Sequence, residues 1–315
     1  MQSPQPPVRT GTLSRFQRRV REMRQVLAAR RVTQLVAGVI IVIAAVRHQL
    51  ENATGSASVD ALCPFGALET LVTWVNTGAF VTKTHPSNLV LRLALLVGTL
   101  LVGNAFYGWI CPFGAVQDAL SWVRRRLHLP SLAVPRRLDA ALCWGRFLVL
   151  ALVIFMSYST AQLWFAGYDP YLTLFGLHWL FGAENSDYWI ALVILGLVAA
   201  ASLVIDRFWC RYLCPLGAAL SAVGRFSLLR IRRAPSACTD CTLCDKPCPV
   251  GIEPSKARPF VSSDCVGCMD CVTTCPVRGA LSIDTRVPLG LPNRVRQADL
   301  TGAARREPVR SAREK

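Results

Sequence analysis

Eight cysteines toward the C-terminal end of the chain fall in two runs of one spacing. The first is Cys238, Cys241, Cys244 and Cys248 before Pro249, and the second is Cys265, Cys268, Cys271 and Cys275 before Pro276. Each run reads C-x2-C-x2-C-x3-C-P. Three thiolates two residues apart can wrap one corner of an iron–sulfur cubane from a single tight loop, while the fourth, stiffened by its proline, points away toward a second group. The expected ligand sets are Cys238, Cys241, Cys244 and Cys275 for one [4Fe-4S] cluster, and Cys265, Cys268, Cys271 and Cys248 for the other. A zinc site usually pairs two C-x2-C hooks and requires neither the third cysteine nor the duplicated Cys-Pro ending. Disulfides favour small secreted domains in an oxidising compartment, which does not describe this chain.

The chain as a whole is apolar and basic at once, 52% hydrophobic with a net charge of +16. These properties coexist because they are segregated along the chain. Apolar stretches near residues 32–48, 89–106, 138–165 and 188–205 approach or reach the roughly 20 residues that a bilayer core requires. Arginines cluster before the first (Arg15 to Arg31), after the second (Arg124 to Arg137) and after the fourth (Arg207 to Arg233), whereas residues 167–187 hold no Lys or Arg. By the positive-inside rule this predicts a multi-pass protein of a bacterial cytoplasmic membrane with both termini and the cysteine-rich part in the cytoplasm. Two further apolar segments, 61–81 and 168–182, read as re-entrant or interfacial helices on the outer face, since counting the first as a span, alone or with the second, moves the Arg124 to Arg137 cluster outside.

Basic clusters that flank spans imply anionic lipid headgroups as the partner rather than nucleic acid. Phe16, Val20, Met23 and Leu27 recur at helical intervals among arginines, predicting an amphipathic helix on the cytoplasmic leaflet. Residues 288–315 lack apolar periodicity and read as a disordered basic tail. The expected organisation is a basic segment 1–31, a membrane domain 32–227, a two-cluster ferredoxin domain 228–287 and the tail 288–315. The fold class is an α-helical membrane protein of about four transmembrane helices in a duplicated two-span unit, joined to a small α+β ferredoxin domain of bacterial two-cluster type.

Five of the thirteen cysteines lie outside the two runs: Cys63, Cys111, Cys143, Cys210 and Cys214. Three recur in one context, as Leu62-Cys63-Pro64-Phe65-Gly66-Ala67, Ile110-Cys111-Pro112-Phe113-Gly114-Ala115 and Leu213-Cys214-Pro215-Leu216-Gly217-Ala218. Tyr107 to Pro112 follows the second apolar stretch as Cys210 to Pro215 follows the fourth, so the membrane part is a duplication in which Tyr107 stands where the second copy has Cys210. Asp60, ahead of Cys63, corresponds in the same way to Asp169. Cys111, Cys143, Cys210 and Cys214 all fall at the cytoplasmic ends of spans and are candidate ligands for a further iron–sulfur cluster; the competing reading is that they are small buried hydrophobes. His48, His85 and His178 lie near the expected outer face, and interfacial packing is their expected role. Arg92 and Arg146, inside apolar stretches, are expected to snorkel. No nucleophile triad, phosphate loop or dinucleotide fingerprint is present in the sequence, and no catalytic residue is assigned.

Cys-x3-Cys-Pro at Cys210 to Pro215, followed by the paired ferredoxin motifs, makes the chain resemble the membrane-bound polyferredoxins of the NapH and NosR type over roughly residues 32–283. The first copy departs from that pattern at Tyr107. The resemblance implies an integral membrane iron–sulfur protein, a component of a quinol dehydrogenase system, that passes electrons between the quinone/quinol pool and a partner redox enzyme or cytochrome. An accessory or regulatory role in metalloenzyme maturation or redox sensing is the alternative expectation.

Overall fold

The computed structural model describes residues 15–50, 87–132, 134–160, 164–177, 188–277 and 279–285, with side chains from residue 24 in the first stretch and residue 93 in the second. The expected helix at 61–81, Asp60, Cys63, His85, His178 and the tail 288–315 lie outside the described residues, as does the side chain of Arg92.

Helix α1 (Arg15–Leu50) is a single helix of 36 residues. The expected boundary near residue 31 is not marked by any break, because the Arg, Gln, Ala and Leu residues around it are good helix formers and no Gly or Pro interrupts them. Helix α2 (Ser87–Val102) closes earlier than the apolar pattern suggests. Gly103, at φ +68°, takes the left-handed position that terminates it and donates its N–H to the Thr99 carbonyl at 2.8 Å. The short α3 (Ala105–Trp109) follows, then α4 (Pro112–Arg126), which begins at the Cys111-Pro112 turn. Helix α5 (Arg136–Thr160) ends five residues before the expected limit, and a turn of 3-10 helix (Trp164–Gly167) leads to α6 (Pro170–Phe175). Helix α7 (Tyr188–Val204) matches the fourth apolar stretch. One π-helical turn (Trp209–Leu213) then precedes α8 (Pro215–Gly224).

Two helical segments, Arg24–Leu50 of α1 and Arg136–Thr160 of α5, are long and apolar enough to cross a membrane; α2 and α7 are shorter apolar helices. Their side chains are arranged inside out relative to a water-soluble bundle. Large apolar groups such as Val36, Ile43, Leu93, Leu148, Phe155 and Leu197 are exposed, while Thr99, Ser157, Ala191 and Ser202 are buried between helices. Small and weakly polar residues at helix contacts, with bulky apolar ones facing out, suit a hydrocarbon surround.

The C-terminal part is small and mixed. Strand β1 (Leu229–Arg233) pairs antiparallel with β2 (Leu281–Thr285), Ile231 facing Ile283. Between them lie both cysteine runs, a 3-10 turn (Pro254–Lys256) and α9 (Asp270–Thr274). Ile231, Val261, Ala280 and Leu281 form its core with Cys244, Cys271 and Cys275.

Candidate functional site

Two cysteine loops with matched backbones build the ferredoxin part. The residues on either side of Cys241, Asp240 (φ 53°) and Thr242 (φ 57°), are left-handed; so are those on either side of Cys268, Gly267 (φ 61°) and Met269 (φ 65°). Non-glycine residues rarely adopt this conformation, and three of these four do so. The repeated reversal of hand curls each loop tightly enough to turn successive thiols toward one centre. Ionic contacts brace the first loop, with Arg233 paired to Asp240 and Asp245 accepting from Ser255 N and Oγ at 2.9 and 2.5 Å.

The thiols gather as two sets of four. Cys238, Cys241, Cys244 and Cys275 line one cavity, and Cys248, Cys265, Cys268 and Cys271 line another. The fourth cysteine of each run thus faces the other run's cavity, and Pro254 forms part of the wall of both. Burial pushes the Cys244 and Cys265 thiols up to about 11 and Cys268 up to about 12; Asp245 adds to the first and Asp270 to the last. Such thiols remain protonated near neutral pH unless a bound cation compensates the thiolate, so binding metal here must release protons. Among the described residues, no group of three or more His, Cys, Asp or Glu side chains could hold a single metal ion. Each four-thiol set surrounds a space rather than a point, and this donor set fits a sulfur-ligated cluster with iron at its corners.

The ferredoxin part sits directly on the membrane part. A Cβ at Gly108 would lie 2.3 Å from the Val266 carbonyl oxygen, so only glycine permits this approach. Around it, Trp109 Nε1 donates to Gly267 O at 2.9 Å and Asn104 Nδ2 donates to Ser263 O at 2.9 Å. Arg146 bridges Asp264 at 2.6 Å and, being buried, does not snorkel as expected; Asp264 also accepts from Ser221 Oγ at 2.7 Å. Burial alone would raise the Asp264 carboxyl, but Ser221 and Arg146 outweigh it and hold it below the usual carboxylate range.

Beneath the junction lies a buried ionic network. Arg207, fully buried, holds Asp118 with two hydrogen bonds of 2.7 Å and donates to Tyr107 O at 3.2 Å. Arg30 joins Asp118 at 2.6 Å to Asp270 at 3.0 Å, linking α1 and α4 to the ferredoxin part. Burial opposes the charge on Asp118, but Arg207 and Arg30 more than offset it, and its carboxyl is held below the ordinary range.

The sequence missed these pairs. Arginines beside an apolar stretch look the same whether they meet headgroups or a buried carboxylate. The available signal was Asp118, the single acid within α4.

Of the four cysteines outside the ferredoxin runs that the structure describes, Cys111, Cys210 and Cys214 line one cavity together with Tyr107 and Asp169. Cys143 instead lines an adjoining polar cavity with Asp139, Arg146 and Arg211, and meets only Cys210 there. That polar cavity shares Val250, Ile252 and Val266 with the second ferredoxin cavity, and Tyr107 and Cys210 with the membrane cavity. The cysteine sites therefore form a continuous series through the molecule.

The family described as "4Fe-4S binding domain" matches the chain twice, at residues 84–130 and 188–234, over the two copies of the Cys-Pro-x-Gly-Ala turn that the structure describes. A "4Fe-4S dicluster domain" matches residues 230–285. The putative electron transport protein YccM of Escherichia coli (strain K12) is 29% identical over 232 residues, 73% of this chain and 64% of that protein. Protein NirI of Paracoccus denitrificans is 34% identical over 205 residues, covering 61% of this chain and 29% of its own. The ferredoxin-type protein NapH of Haemophilus influenzae is 29% identical over 192 residues, 58% of this chain and 63% of its own. The chain thus spans less than two thirds of the length of each of these three relatives. No solved structure matches it. Iron–sulfur domain matches in both parts of the chain, together with similarity to relatives named as electron-transport and ferredoxin-type proteins, are consistent with a 4Fe-4S ferredoxin protein of the NapH/NosR type.

Proposed function

We propose that this protein passes electrons between the membrane quinol pool and a partner redox enzyme through two [4Fe-4S] clusters. Cys238, Cys241, Cys244 and Cys275 would hold one, and Cys265, Cys268, Cys271 and Cys248 the other. A cluster bound in this way takes up and releases a single electron at a potential set by burial and by hydrogen bonds to its sulfurs. The observation that carries the reading is the adjacency of the sites: two four-thiol cavities share Pro254, and the inner one lies against the membrane part at Val250 and Val266.

In this reading α1, α2, α5 and α7 all cross the bilayer. The exposed apolar side chains on each of the four support it, as do the arginines at their shared end. The helices lead to a ferredoxin domain on the cytoplasmic side.

Anaerobically purified protein mixed with a short-chain quinol analogue should show reduced iron–sulfur signals by EPR, and Cys268→Ser should remove the signal of one cluster while the other remains. Clusters with potentials far below the quinone couple and no reduction by quinol would reject this function. They would favour instead the accessory role in metalloenzyme maturation or redox sensing.

A further inference from the structure

We propose that Tyr107, Cys111, Cys210 and Cys214 form a third iron–sulfur site, buried within the membrane part and shared between the two copies of its repeat. Three thiolates bind it, and the Tyr107 hydroxyl occupies the fourth corner. Its use in electron transfer rests on the function proposed above; its existence does not.

The repeat is reproduced in the backbone around its two cysteine turns. Cys111 stands at φ −62°, ψ 114° and Cys214 at φ −64°, ψ 113°, each immediately before the proline that starts the next helix. The Cys111 N–H reaches back five residues to Phe106 O at 2.9 Å, and the Cys214 N–H reaches back five to Trp209 O at 2.8 Å. Such π-type bonds are rare and occur preferentially at functional sites. Each turn also depends on its glycine: a Cβ at Gly114 would lie 2.7 Å from Tyr107 O, and one at Gly217 would lie 3.3 Å from Cys210 O. The two turns face one another, so positions 107, 111, 210 and 214 all line a single cavity of about 260 Å3. That is well over ten times the roughly 10–15 Å3 a lone water needs.

Three features indicate that the cavity is built for a ligand. The Tyr107 hydroxyl is buried without a hydrogen-bond partner of ordinary geometry and is directed at the Cys214 thiol. Gln117, itself buried, donates Nε2 to Cys210 Sγ at 3.0 Å, a contact that suits a sulfur carrying negative charge. Arg207 lies within electrostatic reach of both Cys210 and Cys268, between this cavity and the second ferredoxin set.

Three thiolates packed among apolar side chains would be prohibitively costly without a compensating cation, and iron supplies it. Cys143 has no place in the set, because it opens on the polar cavity instead. On the α1 side the cavity reaches Ala37, Ile40 and Ile41, 7 to 11 residues beyond Arg30, while Tyr107 adjoins Gly108 at the junction.

Iron and acid-labile sulfide should be counted on the whole protein purified anaerobically in detergent, with EPR of the ferredoxin clusters as the internal control. Wild type and Cys143→Ser should hold about twelve irons, three cubanes of four. Cys214→Ser should fall to about eight with the ferredoxin signals intact. Tyr107→Cys, which gives the first copy the Cys-x3-Cys pair of the second and the site four cysteines, should retain the extra iron against a chelator for longer than wild type. About eight irons in wild type, unchanged in Cys214→Ser and in Tyr107→Cys, would overturn the third site and leave the two-cluster reading standing. Loss of the extra iron in Cys143→Ser would overturn the ligand set.

Discussion

Asp118 and Gly108 are the two residues on which the junction between the parts depends most. Asp118 neutralises a fully buried guanidinium, so Asp118→Asn leaves Arg207 charged and incompletely paired. Breaking one side of a buried pair costs about 3–5 kcal/mol, and thermal unfolding in detergent should show a loss of that order. The same pair makes stability depend on pH. A carboxyl whose folded pKa lies below its unfolded value near 4 contributes fully above that value and loses its contribution as pH falls through the lower, folded one. Wild type should therefore lose stability below about pH 4 more steeply than Asp118→Asn, which has no such proton to bind. Gly108→Ala would drive a methyl group into the Val266 carbonyl. The ferredoxin domain should lift away, and limited proteolysis should release it from the variant at protease concentrations that leave wild type intact.

Among the elements, the loops of the ferredoxin part were the most legible in sequence. Cysteine spacing there follows local chemistry, and Cys275 lines one cavity with Cys238, Cys241 and Cys244 because two short loops face each other. Helix boundaries were less legible because their determinants are single residues: Gly103 ends α2 within an apolar run, and α1 passes through residue 31 because no residue there stops it. Contacts between elements were not legible at all. Arg146 reads as a lipid-facing cation, yet it pins the segment around Asp264 to α5 and α8. Arg146→Ala should increase amide hydrogen exchange across residues 263–268 and leave the strand pair β1–β2 protected. Unchanged exchange would mean that Trp109 and Asn104 hold the docking without it.

At the scale of the molecule, the series of cavities runs from an exposed end to a buried one. Protease added to inside-out vesicles should cleave the ferredoxin domain, and right-side-out vesicles should protect it, if the arginine-rich ends face the cytoplasm as proposed. Cys241 is the one exposed cysteine among those described, while Cys268, Cys271 and Cys275 are buried. The close backbone approach at Gly108, with Trp109, Asn104 and Arg146 bonded across the junction, makes the head a fixed fitting rather than a swinging arm. It cannot travel to meet the proposed partner, so the partner has to come to it, and among the described residues the exposed edge around Asp240, Cys241 and Leu243 is where the outer set of thiols lies open to approach.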